Sequence, residues 1–260
     1  MGRIMQIVRY MENSRFCYQE NQYNSECLPC TGCIFKSIVN SAEVARKIAI
    51  RQAVDKAICE GLSLSPWVND NAFMRFCAKN SLNTRFAQLT LEQKLVQWTN
   101  SLKESLPCFI FAASEFDPVP VTDKDGNPVL DKDGKPVMKR KRRLEGIHLS
   151  GLFMFDADHV PFDPREIHER TQVQGFPWQV CLSHKTSSGH GLRLVCEARL
   201  DVGNVADNQI ELARELKLLD VIGTTGKPVV DDSCIDASRI SYAPRQEDIL
   251  FIDEDRLFNA

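Results

Sequence analysis

Two aspartates that follow an apolar run are the residues of this chain best placed to do chemistry. The run Phe153–Phe155 leads directly into Asp156, and Asp158 follows two residues later. Residues i and i+2 of a strand lie on the same face, so the two carboxylates would be neighbours. Like charges so close are unfavourable unless a cation neutralises them. The spacing therefore predicts a site for Mg²⁺ or Mn²⁺, with two solvated loop aspartates as the alternative.

A second candidate is the turn Ser187–Gly191, which is followed by Arg193 within another apolar run. Successive backbone N–H groups in a turn of this composition suit an anion, and a guanidinium binds phosphate oxygens through a planar fork. The pattern thus favours phosphate binding by Ser188, Gly189, Gly191 and Arg193. A plain connecting turn is the alternative.

A third group of carboxylates follows the apolar pair Val229–Val230. It comprises Asp231, Asp232 and Asp236, and Arg239 comes three residues later. These residues could extend the cation site. They could equally form a solvated turn in which Arg239 pairs with Asp236.

The N-terminal cysteines are a separate candidate metal site, made of Cys17, Cys27, Cys30 and Cys33. Four thiolates could hold Zn²⁺ in a tetrahedron. Reduced, buried thiols are the alternative. The ten cysteines are scattered along a chain without a secretory signal, which argues against a disulfide framework.

The elements around these residues divide into two regions. Residues 1–106 have helical patterning, with capping-box signatures at Asn40/Glu43 and at Thr90/Gln93. In residues 107–260 short apolar runs alternate with amphipathic stretches, which predicts an α/β (or α+β) core with a central sheet and flanking helices. Cys108–Ala112 and Ile147–Phe155 are predicted strands.

An internal duplication interrupts this second region. The sequence Asp-Lys-Asp-Gly occurs at Asp123 and again at Asp131. It lacks the glutamate that closes a calcium-binding loop, whereas Asp-Gly pairs are typical of tight hairpin turns. We therefore expect a β-hairpin insertion over residues 117–143, ending in the basic run Lys139–Arg143.

Composition places the chain among folded globular proteins. Its 260 residues are 43% hydrophobic and 26% charged, which excludes disordered and collagen-like classes. The net charge of −3 carries no global signature of nucleic-acid binding. No apolar run is long enough to span a membrane and no signal peptide begins the chain, so we expect a soluble cytoplasmic protein without a membrane partner.

The order of the three motifs resembles that of the archaeo-eukaryotic primase superfamily. The closest resemblance is to the N-terminal domain of virulence-associated protein E-type proteins, found with mobile-element replication. The residues that carry it are Lys103, Leu106–Pro107, Ser114–Phe116, Leu149–Asp158, Ser183, Ser188–Arg193 and Asp231–Arg239. The resemblance covers roughly residues 102–253.

This resemblance implies a primase-like core that carries out two-metal nucleotidyl transfer. Asp156, Asp158 and Asp231 would hold Mg²⁺ or Mn²⁺. Nucleotide would be bound by Ser188, Gly189, Gly191, Arg193 and Arg239, with Arg193 also in the catalytic set. The implied partners are nucleoside triphosphates, single-stranded DNA or a primer-template, and a helicase on another chain or outside these residues.

One departure leaves alternatives open. Active primases usually have histidine where this chain has Arg193. A catalytically inactive primase-like module that binds nucleic acid or protein is therefore one alternative. A metal-dependent glycosyltransferase is another, because an Asp-x-Asp pair also suits a sugar-nucleotide diphosphate.

Overall fold

The computed structural model describes residues 6–9, 31–140, 145–231 and 235–259. The helices in these ranges are Thr31–Val39 (α1), Ala42–Cys59 (α2), Ser65–Val68 (α3), Asn71–Asn80 (α4), Thr84–Ala87 (α5), Leu91–Glu104 (α6), Arg165–Thr171 (α7) and Val205–Glu215 (α8). The strands are Gln6–Arg9 (β1), Cys108–Ile110 (β2), Ala113–Phe116 (β3), Pro118–Pro120 (β4), Met138–Arg140 (β5), Ile147–Leu149 (β6), Leu152–Ala157 (β7), Val180–Lys185 (β8), Leu192–Glu197 (β9), Ser241–Tyr242 (β10) and Ile249–Ile252 (β11). Single helical turns cover Gln246–Asp248 and Asp255–Asn259.

The central sheet is antiparallel, with strand order β11-β8-β9-β7. Alternate side chains of its strands point to opposite faces. On one face Leu152, Met154 and Val195 share a buried cluster with Val44 and Ile48 of α2. Helix α2 therefore covers this face of the sheet.

The opposite face packs against the C-terminal helices. Phe153, Phe155 and Leu194 are buried with Ile167 of α7 and Leu212 of α8. The molecule thus has a sheet between two helical layers, and the mixed helix-and-strand class predicted from the sequence is confirmed.

A further buried cluster holds the N-terminal helices together. Val54 of α2, Phe73 of α4, and Leu95 and Trp98 of α6 form it. Because α2 also belongs to the sheet's core, α6 is fixed relative to the sheet through α2.

Only one of the two predicted capping boxes forms. At α6 the Thr90 hydroxyl accepts from Gln93 N–H at 3.2 Å, and the Gln93 side chain accepts from Thr90 N–H at 3.0 Å. The box at Asn40 is wrong, because Asn40 Nδ2 donates to Lys36 O at 2.8 Å and closes α1 instead. Helix α2 begins one residue later, after Ser41.

The predicted single strand Ile147–Phe155 is also wrong, because the chain breaks between Leu149 and Leu152. Gly151 has a φ of 80°, which an extended strand does not allow. The first part, β6, pairs with β3, and the second, β7, joins the central sheet. The same apolar run therefore serves two sheets.

The duplicated segment forms two tight turns between β4 and β5, which pair antiparallel. Asp123 Oδ1 accepts from Asn127 N–H at 2.9 Å, and Asp131 repeats this bond with Lys135. Val121, Val129 and Val137 bond to one another in a ring of N–H···O contacts of 2.7 to 2.8 Å. The aspartates are thus occupied by backbone donors, as expected for turns.

No helix in the described ranges combines the length and the apolar character that a membrane crossing requires.

We predict that Ile48→Ala lowers the free energy of unfolding by about 2–4 kcal/mol, because Ile48 is fully buried between α2 and the sheet. The matched control is Ile210→Ala on α8, where the isoleucine is 49% exposed and the cost should stay within about 0.5 kcal/mol. Urea unfolding measures both. Equal costs for the two variants would contradict the packing of α2 on the sheet.

Candidate functional site

One face of the central sheet changes from apolar to polar along its length. Met154 lies opposite Val195, and two residues further on Asp156 lies opposite Arg193. On the next strand His184 is the partner of Arg193. Directly opposed residues share a face, so Asp156, Arg193 and His184 form a polar row beside the apolar one.

Asp156 is buried, at 1% exposed. Its Oδ2 accepts from Arg193, whose Nη1 also donates to Ser241 Oγ at 3.0 Å. No described residue donates a hydrogen bond to Asp156 Oδ1. Burial raises the pKa of Asp156 to about 6; the Arg193 guanidinium opposes this and the neighbouring Asp158 carboxylate adds to it.

The structure brings the predicted carboxylates together. Oxygen atoms of Asp156, Asp158 and Asp231 all lie within 4.8 Å of one another. Three carboxylates so close repel one another, and a divalent cation with oxygen ligands would relieve that repulsion. The group could therefore hold a metal ion, as the sequence predicts.

Backbone hydrogen bonds along the outer edge of β7 place Asp231 in this group. Asp158 N–H donates to Val229 O at 2.8 Å, and Asp231 N–H donates to Asp156 O at 3.1 Å. The segment that carries the third carboxylate is thus attached to the strand that carries the first.

A turn at Val221–Val229 delivers that segment, and it repeats the bonding of the two duplicated turns. Gly223 N–H donates to Lys227 O at 2.7 Å, and Val229 N–H donates to Val221 O at 3.0 Å. Its sequence keeps the Gly-Lys-Pro-Val ending of the copy at Asp131. This third copy lies outside the predicted duplication, although the shared Gly-Lys-Pro-Val ending signals it in the sequence.

Arg239 pairs with Asp231 and not with Asp236. Arg239 Nη2 lies 3.0 Å from Asp231 Oδ2. Asp236 instead accepts from Ser238, through its N–H at 2.7 Å and its hydroxyl at 3.0 Å. The alternative pairing with Asp236 is therefore wrong, and two arginines neutralise two of the three grouped carboxylates.

The Ser187–Gly191 turn packs closely against the end of β7. A Cβ on Gly191 would lie 2.4 Å from Ala157 O and 2.8 Å from Asp158 Oδ1, so only glycine fits there. Neither Ser187 N–H nor Ser188 N–H donates to any described residue. The turn therefore holds two backbone donors that bond to no described acceptor, while Gly191 allows close packing against Asp158.

Two cations from the N-terminal helices line the same cavity, and our sequence analysis did not assign either to the site. Arg51 of α2 and Lys103 of α6 face it together with Asp158, Ser188 and Arg193. Burial lowers the pKa of Lys103, and the nearby Arg51 and Arg193 charges lower it further. Lys103 belongs to the residues that carry the primase resemblance, whereas no sequence pattern indicated that Arg51 of α2 reaches the motifs.

His184 is a third residue that sequence reasoning passed over. It is 1% exposed and lines the cavity, and its Nδ1 lies 2.8 Å from Lys185 O. Burial lowers the pKa of His184 to about 3, and the Arg193 charge acts in the same direction. The ring is thus neutral, with Nδ1–H donating and Nε2 carrying a lone pair that no described group satisfies.

Several predicted residues lie outside the described ranges. They are Cys17, Cys27, Cys30, Asp232 and the last three residues of the basic run. Cys33 lies in α1, but its side chain is likewise not described. The zinc site therefore stays a prediction.

Comparison with known proteins gives no relative: no family model, no curated protein and no solved structure matches this chain.

We predict that Asp158→Asn weakens Mn²⁺ binding at least about tenfold, because it removes one of three charged oxygen ligands. Asp158 suits this test because it makes no ion pair with any described residue. Calorimetric titration measures the affinity, and Asp125→Asn in the exposed turn at Asp123 is the matched control. Equal Mn²⁺ affinity in the two variants would show that the carboxylate group is not the metal site.

We predict that His184 stays uncharged at pH 5. In the unfolded chain a histidine protonates below about pH 6.5, whereas folded His184 does so only near 3. Its contribution to stability is therefore complete above pH 6.5 and is lost as the pH falls from about 6.5 towards 3. At pH 5 the loss is roughly 2 kcal/mol.

Histidine ring NMR resonances, assigned with His184→Gln, measure this protonation directly. A His184 ring that titrates near pH 6.5 would contradict the burial described above.

Proposed function

We propose that this chain is a primase-like domain of a mobile-element DNA replication protein, which transfers nucleotides in a metal-dependent reaction on a nucleic-acid template. The observation that carries the proposal is the convergence of Asp156, Asp158 and Asp231 beside the Ser187–Gly191 turn. A primase-like topology of the core is part of the proposal.

The three carboxylates suit Mg²⁺ or Mn²⁺. Their donor atoms are all oxygens, and Asp156 Oδ1 is buried without a hydrogen-bond donor among the described residues. When bound, such ions supply charge stabilisation at phosphate oxygens and lower the pKa of an attacking hydroxyl. Asp156, Asp158 and Asp231 would hold them.

The surrounding residues have distinct roles in this proposal. Arg193 and Arg239 hold Asp156 and Asp231 in position, because each guanidinium donates to one carboxylate. The N–H groups of Ser187 and Ser188 offer donors to phosphate oxygens. Substrate phosphate would thus be positioned next to the carboxylates.

A second candidate, a binding module without catalysis, is favoured by one contact. Arg193 is paired with Asp156, so a protein cation already neutralises the most buried carboxylate. With Arg193 in the place of a metal ion at Asp156, the domain would bind nucleic acid or protein without performing transfer.

Primer extension on single-stranded DNA with labelled nucleotides and Mn²⁺ or Mg²⁺ separates the two candidates. We expect product from the wild type and a roughly thousandfold lower rate from Asp158→Asn, because a metal ligand is lost. Asp125→Asn should extend primers like the wild type. DNA binding without extension, unaffected by Asp158→Asn, would favour the binding module.

A further inference from the structure

One face of α2 changes from apolar to charged residues along the helix, as the sheet face that it covers changes from apolar to polar. Val44, Ile48, Arg51 and Asp55 follow one another at spacings of four, three and four residues, which places them on one side of the helix. Val44 and Ile48 pack on the apolar rows of the sheet. Arg51 consequently faces the cavity beside the polar row.

Arg51 is incompletely partnered at that position. Its Nη1 donates to Asn100 Oδ1 at 3.1 Å, and its Nε lies 3.8 Å from Asp55 Oδ2, beyond hydrogen-bond distance. Nε is buried and bonds to no described residue. The guanidinium therefore retains donors for a further acceptor.

Lys103 makes no direct ion pair with a described residue, and the Asp158 and Asp156 carboxylates act on its charge only from a distance. Its Nζ lies 5.3 Å from the centre of the Tyr242 ring, and no described carboxylate lies within ion-pair distance of it. Two partly buried cations, together with Ser187 and Ser188, thus line one cavity. An anion bound there would supply the missing acceptors.

His184 restricts the kinds of anion that this cavity could bind, because its ring offers a hydrogen-bond acceptor. His184 lines the same cavity, and its buried Nε2 has no hydrogen-bond donor among the described residues. A fully ionised phosphate offers only acceptors, whereas a nucleotide also has hydroxyl groups that donate. A phosphorylated sugar fits both requirements.

We propose that Arg51 and Lys103 bind the phosphates of a nucleoside triphosphate, so that the N-terminal helices form one wall of the substrate site. This inference rests on the nucleotidyl-transfer function proposed above, and it names residues outside the three sequence motifs. Arg193 and the Ser187–Gly191 turn would contact the same phosphates from the sheet.

Calorimetric titration of the full chain with ATP and dATP in Mg²⁺ buffer tests this proposal. The double variant Arg51→Gln/Lys103→Gln should bind both nucleotides at least about tenfold more weakly than the wild type, because two charged donors are lost. Arg51→Lys/Lys103→Arg keeps both charges and should recover part of the affinity. Arg46→Gln/Lys56→Gln removes the same charge from exposed positions of α2 and should bind like the wild type.

Two results would overturn the proposal. One is wild-type nucleotide affinity in Arg51→Gln/Lys103→Gln, with circular dichroism confirming the fold. The other is nucleotide affinity that is unchanged while binding of single-stranded DNA falls, which would assign the two cations to a nucleic-acid backbone.

Primer extension with the wild type keeps this test separate from the proposed function. Nucleotide binding that depends on Arg51 and Lys103 without any extension would support this inference and reject catalysis. Extension that is insensitive to Arg51→Gln/Lys103→Gln at limiting nucleotide would reject this inference and support catalysis.

Discussion

The ion pair between Asp156 and Arg193 is the interaction on which the site depends. Removing a carboxylate from water costs several kcal/mol, and a partner on the adjacent strand offsets this only if the geometry is maintained. The register of β7 against β9 supplies that geometry. A slip of one residue would turn Asp156 towards the apolar layer of α8 and separate it from its counter-ion.

A second constraint on the site is that β7 lies at the edge of the sheet, where its outer backbone groups have no neighbouring strand among the described residues. Met154 O accepts from Gln209 of α8 at 2.6 Å, and the segment after Val229 satisfies the next groups along the strand. An exposed strand edge carries backbone groups that need partners. Here the hydrogen bonds that pair these edge groups also bring Asp231 next to Asp156. The same bonds therefore stabilise the edge of β7 and assemble the carboxylate group.

The N-terminal helices belong to the same physical unit as the sheet. Helix α2 packs its apolar residues on the sheet's apolar rows and carries Arg51 to the polar row, while α6 is held against α2 through Trp98 and Leu95. The face of α2 and the sheet face that it covers both change from apolar to polar residues in the same direction. Their polar ends meet, and a polar cavity therefore lies between the helix and the sheet. This arrangement also explains why charged groups there are only partly solvated.

Local sequence determined much of this protein. The apolar run that ends at Phe155 predicted a buried strand before Asp156, the spacing of Asp156 and Asp158 predicted neighbouring carboxylates, and Thr90 with Gln93 marked the start of α6. These features depend on interactions within a few residues, which sequence patterns record directly.

Tertiary structure alone decided the rest. Arg51 and Lys103 reach the site because α2 and α6, which are distant in sequence from the three motifs, pack beside the polar row. Arg239 pairs with Asp231 through the path of one loop, and His184 lies across from Arg193 through the register of β8 against β9. Such contacts depend on strand register and on the faces that elements present to one another. Single-residue patterns do not encode which distant partner satisfies a buried charge, and that partner sets the chemistry of this cavity.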